Sequence, residues 1–210
     1  MTENSKDYPV VSVIVPCRNE AANILKCLNS ITSGGYPPEK LEVIVVDGLS
    51  DDGTRAVLAD FSGKHGFVKV LDNDKKITPC ALNIGIKSAK GALLLWMSAH
   101  NEYEKGYIEK CIRYMKEYGA DAVGGIIKPV PRNNTIAGQA IARVISSRFG
   151  VGNSLHKVGL ARPQWADTAF GVCYKREVFQ KAGLFNEKLT RGQDMEFGLR
   201  LKRSGVKTLL

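Results

Sequence analysis

Residues 41–54 read Leu-Glu-Val-Ile-Val-Val-Asp-Gly-Leu-Ser-Asp-Asp-Gly-Thr. A short, β-branched apolar run stops at an acidic, glycine-containing turn, and Thr54 opens a helix. An almost uninterrupted apolar strand is one covered on both faces, as in a parallel sheet with helices on either side. The pattern recurs outward from this stretch. Val10–Val15 reads VVSVIV, ends at Pro16 and is followed by helical spacing over Glu20–Ile31. Val68–Leu71 is a third strand, followed by a helix over Pro79–Ala89 that Gly91 closes. Ala92–Met97 is a fourth, followed by an amphipathic helix over Tyr107–Tyr118 that Gly119 stops, and Asp121–Ile127 is a fifth. Strands alternating with helices imply an α/β fold whose central sheet is mainly parallel, with right-handed crossovers.

Beyond Lys128 the alternation loosens. Thr135–Phe149 reads as an amphipathic helix carrying Arg143 and Arg148, and residues 150–163 as loop. A strand over Thr168–Tyr174, helices over Arg176–Ala182 and Gln193–Ser204, and a strand beginning at Val206 complete the chain. We expect one domain over residues 1–210, with a nucleotide-binding half at about 9–127 and an acceptor-side half at about 128–210. Because Val206–Leu210 reads as a strand still running, the C-terminus is expected to be truncated.

Bulk properties narrow the classes. Net charge is +9 and hydrophobic content 44% of 210 residues, ordinary for a globular protein. The basic residues are dispersed, which argues against a nucleic-acid partner. Cys17, Cys27, Cys80, Cys111 and Cys173 form no CxxC pair and are odd in number, so reduced thiols in a cytoplasmic setting fit better than a disulfide framework or zinc site. The longest wholly apolar run, Ala92–Met97, is far too short to span a bilayer. Any membrane role for this segment is therefore expected to be peripheral, at the inner face of the plasma membrane.

In open parallel sheets, ligands bind at the carboxyl ends of strands. Those exits here are Pro16-Cys17-Arg18-Asn19-Glu20, Asp47 with its turn, and Ser98-Ala99-His100. None carries GxGxxG or GxxxxGK[ST], which disfavours a dinucleotide oxidoreductase and a P-loop NTPase.

Three ordered motifs, VSVIVPCRNEAANILKCLNSI, EVIVVDGLSDDGT and ITPCALNIGIKSAKGALLLWM, resemble the inverting family-2 glycosyltransferases of GT-A fold. DAVGGIIKPVP, FGVGNS and the long run FGVCYKREVFQKAGLFNEKLTRGQDMEFGLRLKRSG extend the resemblance to about residues 9–210. The branch it most resembles includes succinoglycan-type exopolysaccharide glucosyltransferases. The resemblance implies a Rossmann-like GT-A sheet with a smaller acceptor-side region. It also implies transfer of a hexose from a nucleotide sugar, a UDP-sugar by expectation, to a glycan or lipid-linked acceptor.

It implies residue roles too. Asp47 matches the aspartate that binds the base or ribose; the alternative is a cap for the following helix, a role Asp51 and Asp52 fill better. Pro16, Arg18 and Glu20 belong to the first motif, Glu20 being equally readable as a solvated first-turn residue. Lys75, with Lys76 beside it, would offset diphosphate charge, or be solvated. Asn83 would fix the donor site or a neighbouring loop. Asp194 matches the catalytic base that takes the acceptor hydroxyl proton; the alternative is a simple helix cap. Gln193 stands where the family often has Glu.

The fourth exit departs from the pattern. The resemblance implies Asp-x-Asp or Asp-x-His there, holding Mg²⁺ or Mn²⁺ against the diphosphate. Ser98 replaces the anionic ligand and leaves His100 as the candidate metal ligand, with Glu102 just beyond. Three readings stay open: metal held weakly through His100, transfer without metal, and a non-catalytic nucleotide-sugar-binding relative. Trp165 is readable as a sugar-stacking residue or as packing. The helix over Thr135–Phe149 is readable as a domain-packing element or as a surface for anionic phospholipid.

Overall fold

The computed structural model describes residues 8–131, 134–152 and 154–210. A seven-stranded sheet in the order β3-β2-β1-β4-β6-β5-β7 forms its centre. The strands are β1 (Val11–Cys17), β2 (Leu41–Asp47), β3 (Val68–Asp72), β4 (Leu93–Trp96), β5 (Ala122–Gly125), β6 (Phe170–Lys175) and β7 (Thr208–Leu209). The helices are α1 (Ile24–Thr32), α2 (Thr54–Lys64), α3 (Thr78–Ser88), α4 (Tyr107–Tyr118), α5 (Ile136–Ile145), α6 (Arg148–Val151), α7 (Leu155–Val158), α8 (Glu177–Ala182) and α9 (Gln193–Arg203).

β1 pairs parallel with β2 and β4, and β2 with β3. β6 is the exception, antiparallel to both β4 and β5. β5 therefore runs in the direction of β4, so the carboxyl ends of β1 to β5 share one edge. β1 continues through Pro16 to Cys17 rather than stopping at the proline. The expected helix over Thr135–Phe149 is broken at Ser146–Ser147 into α5 and α6.

Two apolar layers sandwich the sheet. Val13, Val15, Val43, Val45 and Leu95 face one, against Ile24, Leu28, Leu58, Ile108 and Met115. Ile14, Ile44, Val46 and Leu94 face the other, against Leu82, Ile86, Phe197 and Leu201. This alternation along strands buried on both faces explains why they read as continuous apolar runs. The five cysteines are all buried and unpaired.

Ser12, fully buried in the middle of β1, shows how one polar residue is accommodated. Its hydroxyl donates to Glu42 at 2.5 Å and accepts from the Gly91 N–H at 2.8 Å. Gly91 must be glycine, because a Cβ there would lie 2.6 Å from the Ser12 nitrogen. Glu42 also accepts from Lys69 Nζ at 2.8 Å and the Lys90 N–H at 2.9 Å, tying β1, β3 and the α3–β4 connection to β2. Burial pulls the Glu42 carboxyl upward, but the hydrogen bonds from Lys69, Ser12 and Lys90 outweigh it, and the net value falls below the ordinary 4.5.

A group whose folded value is depressed contributes stability above its unfolded value and loses it as pH falls through the folded value. Glu42→Gln should therefore destabilise the protein by about 1–3 kcal/mol near neutrality. In thermal melts across acid pH, the gap between wild type and Glu42→Gln should narrow below 4.5; a gap of constant size would show that the charged form contributes nothing.

Candidate active site

The strand ends are in register: Cys17 lies opposite Asp47, and Asp47 opposite Asp72. At their shared edge the Asp47 side chain is wholly buried. A buried carboxylate needs partners. Asp47 accepts from the Ser50 N–H at 3.0 Å, the Ser50 hydroxyl at 2.5 Å and Arg55 Nη1 at 2.9 Å. The same Arg55 nitrogen reaches Asp72 at 2.7 Å, so one guanidinium from the first turn of α2 joins the exits of β2 and β3.

The turn between β2 and α2 is shaped around these bonds. Leu49 sits at φ 55°, in the left-handed region, inside the loop closed by Ser50 on Asp47. Non-glycine residues there store strain, which accumulates where a chain is held for a purpose. Asn19, at φ 54°, does the same at the β1 exit, and asparagine tolerates it well. Its amide exchanges two bonds with Asp51, while its N–H donates to Ser50 Oγ at 2.9 Å. The Glu20 N–H donates to Thr54 Oγ1 at 2.8 Å and the Ala21 N–H to Asp52 at 3.1 Å. Asp51 and Asp52 thus latch the first and second exits together, and Asp52 also caps Thr54. The bond from Thr54, followed by those from backbone N–H groups, holds the Asp52 carboxyl below its usual range.

Among the sequence-chosen residues, Pro16, Arg18, Glu20, Asp47, Ser98 and His100 come together along the exits of β1, β2 and β4. Arg18 lies against Gly48, where a Cβ would meet its side chain at 3.2 Å. Lys75 is exposed in the turn beyond β3. Asn83 goes elsewhere. It is buried in α3, donating to the Phe185 carbonyl at 2.9 Å and Glu187 at 2.8 Å, and accepting from the Phe185 N–H at 2.9 Å. Its amide clamps α3 to the loop after α8.

The edge also holds residues the sequence reading passed over. Arg55 and Asp72 are two, and Asn73 is a third. Asn73 is 1% exposed; its N–H donates to the Asp47 carbonyl and its Nδ2 to the Ile77 carbonyl. Asn73 Oδ1 is buried and unpartnered among the described residues. The strand-exit rule that selected Asp47 applies equally to the end of β3 and would have selected Asp72 and Asn73.

At the β4 exit the Ser98 N–H donates to Tyr103 Oη at 2.6 Å, and Cys27 Sγ donates to the Ser98 carbonyl at 3.4 Å. This backbone is pinned, so Glu102 does not move into the place of the missing aspartate; it is exposed. The carboxylate beside His100 is Glu20, at 3.1 Å, with Ser98 Oγ 3.2 Å from the other ring nitrogen. Hard divalent ions favour several oxygen ligands. Glu20 and His100 with a neutral serine are too few, and no cluster of three acidic, histidine or cysteine side chains suited to a metal exists among the described residues. Among the described residues, Glu20 and His100 are the donors that this exit brings together. Nor does Cys17 offer a nucleophile, because burial and then the charge of Asp47 push its thiol well above the ordinary value.

Asp194 occupies the first turn of α9 and is exposed. Gly192 before it adopts φ 72°, which turns the chain into the helix. One turn on, Phe197 packs 4.3 Å from Phe185, whose ring lies 5.6 Å from Trp96 at the end of β4. This row of rings fixes the start of α9 relative to the fourth exit. The Asp194 charge is felt by His156 of α7 and Tyr174 of β6. Trp165 sits beyond β7, half exposed and bridged to Leu209, extending the sheet edge.

Known proteins share this architecture. The chain is 31% identical over 198 residues to glycosyltransferase AglE of Haloferax volcanii, covering 94% of this chain and 62% of that protein. It is 28% identical over 197 residues to the succinoglycan biosynthesis protein ExoA of Rhizobium meliloti, covering 93% and 58%. The chain thus spans about three fifths of the curated relatives it matches. The mannosyltransferase PcManGT of Pyrobaculum calidifontis, solved with GDP-Man and Mn²⁺, superposes with a TM-score of 0.70 at 22% identity over 98% of this chain and 55% of that one. TarS 1–349 of S. aureus with UDP gives 0.70 at 20% identity over 94% and 57%. These two superpositions establish a GT-A fold. The Glycosyl transferase family 2 profile matches residues 12–183, and the chain belongs to that family.

Proposed function

We propose that the chain is the sugar-transferring domain of an inverting hexosyltransferase that uses a UDP-sugar and delivers the sugar to a lipid-linked glycan acceptor at the cytoplasmic face of a membrane. The observation that carries this reading is the Asp47–Ser50–Arg55 cradle at the carboxyl edge of the sheet. Ser50 and Arg55 hold Asp47 oriented but closed to solvent, so a nucleobase N–H or ribose hydroxyl would reach it by taking the place of the half-exposed Arg55 as donor.

The relatives' names supply the chemical class. One, from Methanococcus voltae, 32% identical over 204 residues, is named as a dolichyl-phosphate-linked sugar glucuronosyltransferase, and ExoA as a succinoglycan biosynthesis protein. TarS was solved with UDP and with UDP-GlcNAc.

In the proposed step an acceptor hydroxyl oxygen attacks the anomeric carbon, and its proton passes to the Asp194 carboxylate. The bond from that carbon to the diphosphate oxygen breaks, and UDP leaves with the electron pair from the opposite face. The single displacement inverts the anomeric centre. Asp194 suits the base role through its exposure and its place in the first turn of α9. Arg18 and Lys75 would face the departing diphosphate charge. The step is not routed through a metal, because Ser98 supplies no anionic ligand.

Ser98 also favours a second reading, a non-catalytic relative that binds a nucleotide sugar. Donor hydrolysis separates the two. Incubation with UDP- and GDP-sugars should release UDP, and release should persist in EDTA. Measurable UDP binding with no release from any donor would favour the second reading instead, and loss of release in EDTA would show that a metal is needed after all.

Asp194→Asn should reduce transfer by about 10²-fold or more, with UDP affinity unchanged by calorimetry. A fully active variant would end the base assignment. Asp47→Ala should behave oppositely, weakening UDP binding by about 10-fold or more, the effect of about 1.5–3 kcal/mol for hydrogen bonds to a charged group. Unchanged affinity would remove the cradle from the nucleotide site.

A further inference from the structure

Between Asp121 and Asp167 the chain contains no acidic residue, while it carries Lys128, Arg132, Arg143, Arg148, Lys157 and Arg162. The connection joining β5 to β6 therefore carries six basic residues against one acid, Asp167 near its end, a net +5 that comes from missing acids rather than from clustered bases. That connection leaves the sheet at its carboxyl edge, the edge of the candidate site.

Its first helix is inverted relative to an ordinary surface helix. Thr135 caps α5, its hydroxyl accepting from the Gly138 N–H at 3.1 Å, yet no residue of the helix is buried. At 100° per residue, Ile136, Ala140, Val144, Ala137, Ile141 and Ile145 fill one half of the helix circumference, with Gln139 and Arg143 flanking it. The half-buried positions are Gly138 and Ala142, on the other side. The apolar half therefore faces outward: Ile136 is 90% exposed and Ile141 62%. Gly150 folds α6 tightly against Val144, where a Cβ would collide with the Val144 carbonyl, and Phe149 is left 98% exposed at the tip. Val130 stands out at 83%.

Single exposed apolar side chains are normal; an outward apolar arc on a capped helix, free of acid and flanked by arginine, is not. The charge selects the occupant. A second copy of this chain, basic overall, would meet a positive surface, whereas an anionic bilayer matches the arginines and accepts the apolar arc below its headgroups. No helix among the described residues is long and apolar enough to cross a membrane, so the contact would be interfacial.

We propose that the β5–β6 connection, through α5 and the Phe149 tip, docks the protein on an anionic phospholipid surface. The far end of the connection returns beside the candidate base. The Ile127 N–H donates to the His156 carbonyl at 2.7 Å, and His156 feels the charge of Asp194. Docking would therefore present the Asp194 side of the site to a lipid-linked acceptor, a consequence that rests on the transferase reading, although docking itself does not.

The test is flotation of the protein, at its full natural length, with vesicles of phosphatidylcholine alone or phosphatidylcholine with phosphatidylglycerol. Binding to the mixed vesicles only, weakened by added salt, is expected. Arg143→Glu with Arg148→Glu should reduce partitioning by roughly 100-fold or more, reversing two charges near the surface. Phe149→Ser with Ile136→Ser should reduce it too, both variants keeping wild-type UDP affinity as evidence that the site is folded. Equal flotation with neutral vesicles, none with anionic ones, or wild-type flotation by both variants would overturn the proposal. So would a dimer in sedimentation velocity, without vesicles, that Phe149→Ser with Ile136→Ser disperses, since a second copy would then own the surface. Flotation without sugar release would count against the transferase reading alone, and release without flotation against docking alone.

Discussion

A carboxylate buried at the end of β2 organises the site edge. Asp47 cannot be left unpaired there, and its partners come from separate parts of the chain: Ser50 from its own turn and Arg55 from α2. Because Arg55 also grips Asp72, the pairing sets the distance between the second and third exits and the angle at which α2 leaves the sheet. Asn19 then hooks the first exit onto the same turn through Ser50 and Asp51. The three bonds to Asp47 occupy most of the roughly four acceptor positions a carboxylate offers. With the side chain also closed to solvent, the pairing gives this edge a rigid frame.

The opposite side of the site is held by different physics. α9 is located by edge-on and tilted rings, Trp96 to Phe185 to Phe197, and by Arg200, which bonds the Ala182 and Leu184 carbonyls and Glu196. Asn83 reaches across from α3 to the same loop. The Asp47 side thus depends on strand register and charge pairing, and the Asp194 side on apolar packing plus one buried amide. The two systems meet at β4, whose Trp96 begins the ring row and whose exit carries Ser98 and His100.

The physics of burial decided which parts of this molecule could be read from its residues. Strands covered on both faces must be apolar throughout, so β1, β2 and β4 were legible, and α4 was found at its observed ends because Gly119 stops it. The antiparallel insertion of β6 was not legible, since a strand buried on both faces reads the same in either direction. The break between α5 and α6 was hidden because Ser146 and Ser147 are tolerated inside helices as well as at caps. Asn83 stayed open between a donor-site and a loop-fixing role for a related reason. An asparagine at a ligand and one clamping a distant loop look alike in sequence, and only the position of Phe185 tells them apart. Arg55 was missed because its value lies in bridging two aspartates that meet only once the sheet forms.

Ser98 lies at the β4 exit, where the two systems meet. A serine in place of an aspartate at the β4 exit removes a negative charge from an edge that already holds Asp47, Asp51, Asp52, Asp72 and Glu20. In that setting Glu20 is drawn to His100 and the pair closes over Ser98, with the backbone pinned by Tyr103 and Cys27. An incoming diphosphate would meet less carboxylate repulsion at this exit than an aspartate would impose, and correspondingly less need of a cation to bridge it. With serine here, the carboxylate nearest His100 is Glu20, at 3.1 Å.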